Sequence, residues 1–109
     1  MESNTPQWSE TEKKIAHKAL NKAYARETET LIAEITQKAS QITKINDVWS
    51  LHDYLSAKRY DIDGKYDDRD STSFFVFAEL IKEGWLHPDE LAGLSPDKRA
   101  KVAALVRMS

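Results

Sequence analysis

Between Pro6 and Gly64 the chain contains neither glycine nor proline, so nothing in its covalent chemistry interrupts a helix across that span. Long helices are therefore expected. Ser9 followed by Glu12 makes a capping box, the serine hydroxyl accepting from an orphan backbone N–H while the glutamate reaches back; the first helix should begin there. From it Ile15, Ala19, Leu20, Ala23, Tyr24, Leu31, Ile35, Ile42 and Ile45 recur at three, four and seven, giving one apolar stripe. Lys38 and Thr28 interrupt it, and the threonines at 28, 30, 36 and 43 each cost a few tenths of a kcal/mol in a helix, roughly. Packing must therefore hold this helix. Running from Glu10 to Ile45 it would be on the order of 50 Å long, against a radius of gyration of about 13 Å for a compact domain of this size. A second copy of the same helix, in a homodimer with a two-fold axis, is the simplest cover; a hairpin folded back within the chain is the alternative.

Asn46 and Asp47 are capping residues, so a break or kink there, then a second helix from Val48 to about Asp61, is expected, with a continuous helix as the other possibility. "DIDGKYDDRDS" reads as a polar turn, and "FFVFAELIKEG" as a third helix closed by Gly84 at its C-terminal cap. Pro88 and Pro96 stand at first helical positions, with Ser95 as an N-cap, giving a short helix ending near Gly93 and a last one through Arg107. The fold class expected is all-α, in one domain over residues 1–109. An elongated helical stalk, about residues 9–61, pairs in a dimer and carries a small C-terminal helical head, about residues 71–107.

Composition narrows the partners. With 40% hydrophobic and 31% charged residues the chain should fold around a packed core. Its formal charge of -2, with lysine and arginine scattered among aspartate and glutamate, provides no basic field for nucleic acid. There is no cysteine, which removes disulfides, thiolate metal sites and thiol redox chemistry. Met1 to Gln7 lack the pattern of a signal peptide, and no apolar run is longer than the five residues of Phe74 to Ala78, far short of a membrane span. Neither secretion nor membrane insertion is expected.

Several chemical readings were weighed on residue type and spacing. An EF-hand register on "DIDG" would put Arg59 at position one and Asp70 at position twelve, where a carboxylate and a bidentate glutamate are required. His52, Asp53 and Ser56 hold the letters of a hydrolase triad, yet neighbours on one helix cannot set a carboxylate behind the ring while the ring addresses the serine. His17 and His87 lack an i+4 ligand partner. Of the run Phe74, Phe75, Val76, Phe77, at least one side chain should be left outside the core. Lys98, Arg99 and Lys101 form a small basic cluster, either a solvated face or a docking patch.

The segment "WSLHDYLSAKRY" is the most informative. At about 100° per residue, Val48, Leu51, Leu55 and Ile62 fall on one side as a core face. His52, Asp53, Ser56, Tyr60 and, at the border, Arg59 share another sector with Trp49, where hydrophobic burial does not require them. Trp, Tyr and Arg are the types enriched at binding hot spots. A partner surface fits them, and so does a dimer seam in which Trp49 packs and Asp53 pairs with Arg59 across the axis.

The stretch "ASQITKINDVWSLHDYLSAKRYDIDGKYDDR", with "KAYARE" before it and "FVFAEL" after it, resembles the fluorescence recovery proteins of cyanobacteria over nearly the whole chain. Tyr54 and Tyr60 stand where that pattern has Phe and His. The resemblance implies an all-helical homodimer, with no enzymatic activity and no cofactor of its own. Its partner would be the photoactivated red form of the orange carotenoid protein, bound mainly through that protein's C-terminal domain, and the carotenoid belongs to the partner. The effect would be faster return to the orange form, detachment from the phycobilisome, restored antenna fluorescence and an end to non-photochemical quenching. The implied location is cytoplasmic, peripheral to the thylakoid membrane. Carried over by position, the partner-binding residues are Trp49, His52, Asp53, Arg59, Phe75 and Lys101, and Val48 belongs to the dimer contact; the apolar stripe adds Leu31, Ile35, Ile42 and Ile45 to that contact, and the sector reading adds Trp49. The competing function is a generic homodimeric helical scaffold for another protein.

Overall fold

A computed structural model describes residues 8–66 and 73–108. They are all-helical: α1 (Glu10–Ser40), α2 (Ile45–Tyr66), α3 (Phe74–Glu83), a 3-10 turn (Pro88–Leu91) and α4 (Pro96–Arg107). The expected all-α class is therefore observed, a long N-terminal helix with small C-terminal helices. The chain divides into two compact units, one of residues up to Ala23 together with those from Arg69 onward, the other from Tyr24 to Asp68.

In the first unit α1 starts as its sequence dictates. Glu12 N–H donates to Ser9 Oγ at 3.0 Å and Ser9 N–H to Glu12 Oε1 at 3.1 Å, a reciprocal capping box. The same carboxylate has a second use that the sequence did not disclose. It accepts Ser95 N–H at 2.9 Å and Lys98 Nζ at 3.1 Å, so the start of α1 is fastened to the start of α4. Lys98, expected on a solvated face or docking patch, is buried instead, its ammonium 5.1 Å from the Trp8 ring centre. Ala16, Ala19, Leu20 and Ala23 of α1 join Phe77, Leu80, Leu86, Leu91, Leu94 and Val102 in this unit's core. Small alanines allow close approach to α1, where burying larger side chains would demand more space.

The predicted punctuation of α3, the turn and α4 is present. Gly84 takes φ 87° and donates to Ile81 O at 3.1 Å, the left-handed cap that glycine accommodates. Ser95 Oγ accepts Lys98 N–H at 3.4 Å, with Pro96 following as the first residue of α4. His87, weighed as a metal ligand, caps the 3-10 turn: its Nδ1 accepts Asp89 N–H at 3.1 Å, and its own N–H donates to Glu90 at 2.9 Å.

In the second unit the rest of α1 and all of α2 lie antiparallel, the contacts running from Tyr24 with Tyr66 to Lys38 with Tyr54. The folded-back hairpin left open by the sequence is thus the intrachain cover here. Two boundaries differ from expectation. The break falls at residues 41–44, ahead of Asn46, because the Asp47 carboxylate accepts Thr43 N–H at 3.1 Å and Lys44 N–H at 3.3 Å. Asp47 acts from inside the first turn of α2, and those backbone donors, Thr43 foremost, lower its pKa. At the other end α2 passes Asp61 and Gly64 to Tyr66, so residues 61–66 are helical where a turn and a calcium loop had been considered; residues 67–71 of that segment lie outside the described residues. A mid-helix glycine costs about 1 kcal/mol, and tertiary contacts offset it. Lys65 and the Tyr66 hydroxyl both donate to buried Glu27, and the Tyr66 ring meets Tyr24 edge-on at 5.1 Å. The unfavourable threonines are satisfied locally, Thr28 donating to Tyr24 O at 2.8 Å and Thr36 to Ile32 O at 3.0 Å.

Candidate functional site

The two faces expected of α2 separate in the structure. Ile62 and Tyr66 are buried, and Leu51, Tyr54, Leu55, Lys58 and Lys65 half-buried, with Tyr54, Lys65 and Tyr66 in contact with α1. Tyr54 is held there by its hydroxyl, which donates to Glu34 at 2.5 Å, and by Lys38 Nζ over its ring at 4.6 Å. The Glu34 bond stabilises the protonated phenol and raises the Tyr54 pKa. Lys38, an interruption in the apolar stripe by sequence, thereby gains an aromatic partner.

On the other side Trp49, His52, Asp53, Ser56, Arg59, Tyr60 and Asp63 are all exposed. Trp49 is 57% and Tyr60 85% accessible, high for aromatic side chains, and Val48 lies at the border at 37%. Ser56, Arg59, Tyr60, Asp63 and Gly64 line a shallow depression. The polar contacts within the sector are loose: Arg59 Nε lies 3.5 Å from Asp63 Oδ2, and His52 Nδ1 3.4 Å from Asp53 Oδ1. Arg59 pairs along its own helix, a contact of small worth at such exposure. His52 and Asp53 stand in open solvent, without the desolvated, oriented geometry that a catalytic base requires. The sector can grip a protein surface: two aromatic rings to bury, a guanidinium for a carboxylate, and a histidine and an aspartate to set register.

Near the inter-helix break the apolar residues assigned to a dimer contact are incompletely covered within one chain. Leu31, Ile35 and Ile42 are half-buried, while Ile45 and Trp49 are exposed, as is Ile32, which the sequence reading did not single out. Phe75 and Lys101 belong to the other unit. Phe77 is fully buried, Phe74 and Val76 partly, and Phe75 is the side chain left over at 74% exposure. Lys101 is exposed with its Nζ 5.7 Å from the ring centre of Phe74, adjacent in sequence to Phe75, and Trp8 meets the same ring at 5.7 Å. Among the described residues no helix is long and apolar enough to cross a membrane.

The sequence and fold are similar to those of known proteins. The family model of the photoprotection regulator fluorescence recovery protein matches residues 8–106. The fluorescence recovery protein of Synechocystis sp. is 54% identical over 101 residues, 93% of each chain. The solved structure of the Fremyella diplosiphon fluorescence recovery protein superposes with a TM-score of 0.88 at 52% identity, covering 94% of this chain and 100% of that one. The structure from Synechocystis sp. PCC 6803 gives 0.86 at 51%, covering 93% and 99%.

Proposed function

The chain belongs to the fluorescence recovery protein family of photoprotection regulators, and we propose that it acts without catalysing a covalent reaction. It binds the photoactivated red form of the orange carotenoid protein, chiefly that protein's C-terminal domain, and speeds its return to the orange form. The quencher then leaves the phycobilisome, antenna fluorescence recovers and non-photochemical quenching ends. The observation that carries this reading is the outward sector of α2, where Trp49, His52, Asp53 and Arg59 are exposed together. The fold of one chain makes no use of them as core.

A binding protein accelerates such a conversion when it binds the approach to domain reassociation better than the separated state. Tenfold acceleration needs only about 1.4 kcal/mol of that difference, within reach of one desolvated arginine contact. Phe75 and Lys101 form a further docking element on the other unit. Leu31, Ile35, Ile42, Ile45, Val48 and Trp49 make the contact with a second copy, their uncovered apolar area supporting a homodimer. No cofactor is required, since the carotenoid sits in the partner. The working place is the cytoplasmic side of the thylakoid membrane, peripheral to it and beside the phycobilisome.

The test is the dark decay of red-form absorbance with wild type, with Arg59→Leu and with no added protein, alongside light-scattering mass of each protein. Acceleration by wild type that Arg59→Leu loses while keeping its mass supports the reading. Absence of acceleration by wild type overturns it and favours a helical scaffold for another partner.

A further inference from the structure

α3, the 3-10 turn and α4 bound an open groove of about 470 Å³ in the C-terminal unit. Its lining is apolar, including Ile81, Leu91, Val102 and Val106, with two exceptions, the charged residues Arg99 and Arg107. Both are exposed, and among the described residues neither guanidinium has a carboxylate partner. The other cations of this helix are engaged differently, Lys98 with Glu12 and Lys101 over Phe74. At about 100° per residue, Lys101 falls on the opposite side of α4 from Arg99, Ala103 and Arg107. The basic cluster seen in the sequence therefore divides between two faces.

We propose that this groove docks an acidic amphipathic helix of a partner protein, with two carboxylates about two turns apart bracketing large apolar side chains. Three observations carry the assignment. The apolar floor needs an apolar occupant to displace its water. Arg99 and Arg107 stand eight residues apart on one face of α4, about 12 Å along its axis, a spacing that a second helix reproduces with carboxylates seven or eight residues apart. Between them Ala100 and Ala103 line the groove, leaving room for another helix backbone to come close. Arginine at both positions suits the occupant, because its planar fork takes a carboxylate through two parallel N–H bonds. Helix-in-groove recognition of this kind is read through apolar anchors one turn apart. The proposal does not depend on the function assigned to the α2 surface.

The test uses the full chain and a fluorescein-labelled synthetic helix carrying Glu at positions i and i+7 with Leu at i+3 and i+4, followed by fluorescence anisotropy. Saturable binding is expected, weakened at least tenfold in Arg99→Glu/Arg107→Glu. The same peptide with Lys replacing both Glu should then prefer the reversed protein. Ala103→Leu fills the floor while keeping both arginines and should also weaken binding, so the proposal stays testable if the double variant misfolds; circular dichroism checks both. No saturable binding to wild type overturns the proposal, as does equal binding by a folded Arg99→Glu/Arg107→Glu protein. Displacement of the peptide by sodium decanoate or anionic vesicles, with no preference for the charge-swapped pair, overturns it in favour of a small amphiphile or a lipid surface.

Discussion

Lys65 Nζ lies 2.9 and 3.1 Å from the two carboxylate oxygens of Glu27, and their side chains are only 4% and 6% exposed. The Tyr66 hydroxyl donates to the same carboxylate at 2.9 Å. Desolvating both ions is expensive, and the pair is tolerable because three hydrogen bonds from two donors engage the acid. Removing Glu27 takes away the carboxylate closest to Lys65, and Asp61 Oδ2, 3.7 Å from its Nζ and half exposed, replaces it poorly. Glu27→Ala should therefore cost about 3–5 kcal/mol, a large share of the roughly 5–15 kcal/mol typical of a small protein. Glu27→Leu combined with Lys65→Met should cost much less than either change alone. Urea unfolding of the single and double variants decides it, and simple additivity would show that the pair is not coupled.

Glu12 makes the other long-range fastening, and it is sensitive to acid. Its pKa is lowered from 4.5 to about 2 by the Ser9 and Ser95 backbone donors, in that order, and then by Lys98. A depressed carboxylate pKa favours the folded state above the unfolded value and loses that contribution as pH falls through the folded one. The stability advantage of wild type over Glu12→Gln should thus hold from neutrality to about pH 4.5 and shrink toward pH 2. Thermal melts of both proteins across that range report it; a difference independent of pH would count against the Glu12 carboxylate as the acid-labile tie.

The caps were legible in the sequence because each is a local matter. Ser9 with Glu12, Gly84, Ser95 and the two prolines act within four residues of themselves. So was the outward sector of α2, since helical angle alone separates Trp49 and His52 from Leu51 and Leu55. The end of α2 was not legible, because Gly64 is carried inside a helix by contacts of Lys65 and Tyr66 with α1, far away in sequence. Residue type alone placed Lys98 on a solvated face or docking patch, and the polar turn expected around Gly64 gave no hint of buried Lys65. A signal did exist for Glu27: it occupies the stripe position between Ala23 and Leu31, four residues from each. A charge with apolar stripe residues one turn away on both sides needs a partner where that part of the stripe is buried.

Gly64 offers a direct measure of how firmly tertiary contacts hold that helix end. It is exposed within α2, and a Cβ added there would meet nothing within 4 Å. Gly64→Ala should raise stability by about 0.5–1 kcal/mol, mostly by restricting the unfolded chain. That corresponds to roughly 2–8 °C in the unfolding midpoint of a domain this size. A lowered midpoint would mean that the helix at residue 64 is not maintained in solution.

Asp63 tests how Arg59 is presented. Its carboxylate stands 3.5 Å from Arg59 Nε, with 85% and 70% of the two side chains exposed, so the pair contributes little to folding. An acidic partner must nevertheless share the guanidinium with it, and meets a like charge one helical turn away. Asp63→Asn removes both penalties, worth about 0.3–0.5 kcal/mol at such a site, or about twofold in affinity. Binding of the red carotenoid protein, titrated at low salt, should tighten by that factor with an unfolding midpoint close to wild type. The gain should fade at high salt, where exposed charges are screened. Weaker binding would mean instead that Asp63 holds Arg59 in the orientation the partner requires, and Arg59→Leu and Asp63→Asn would then impair recovery together.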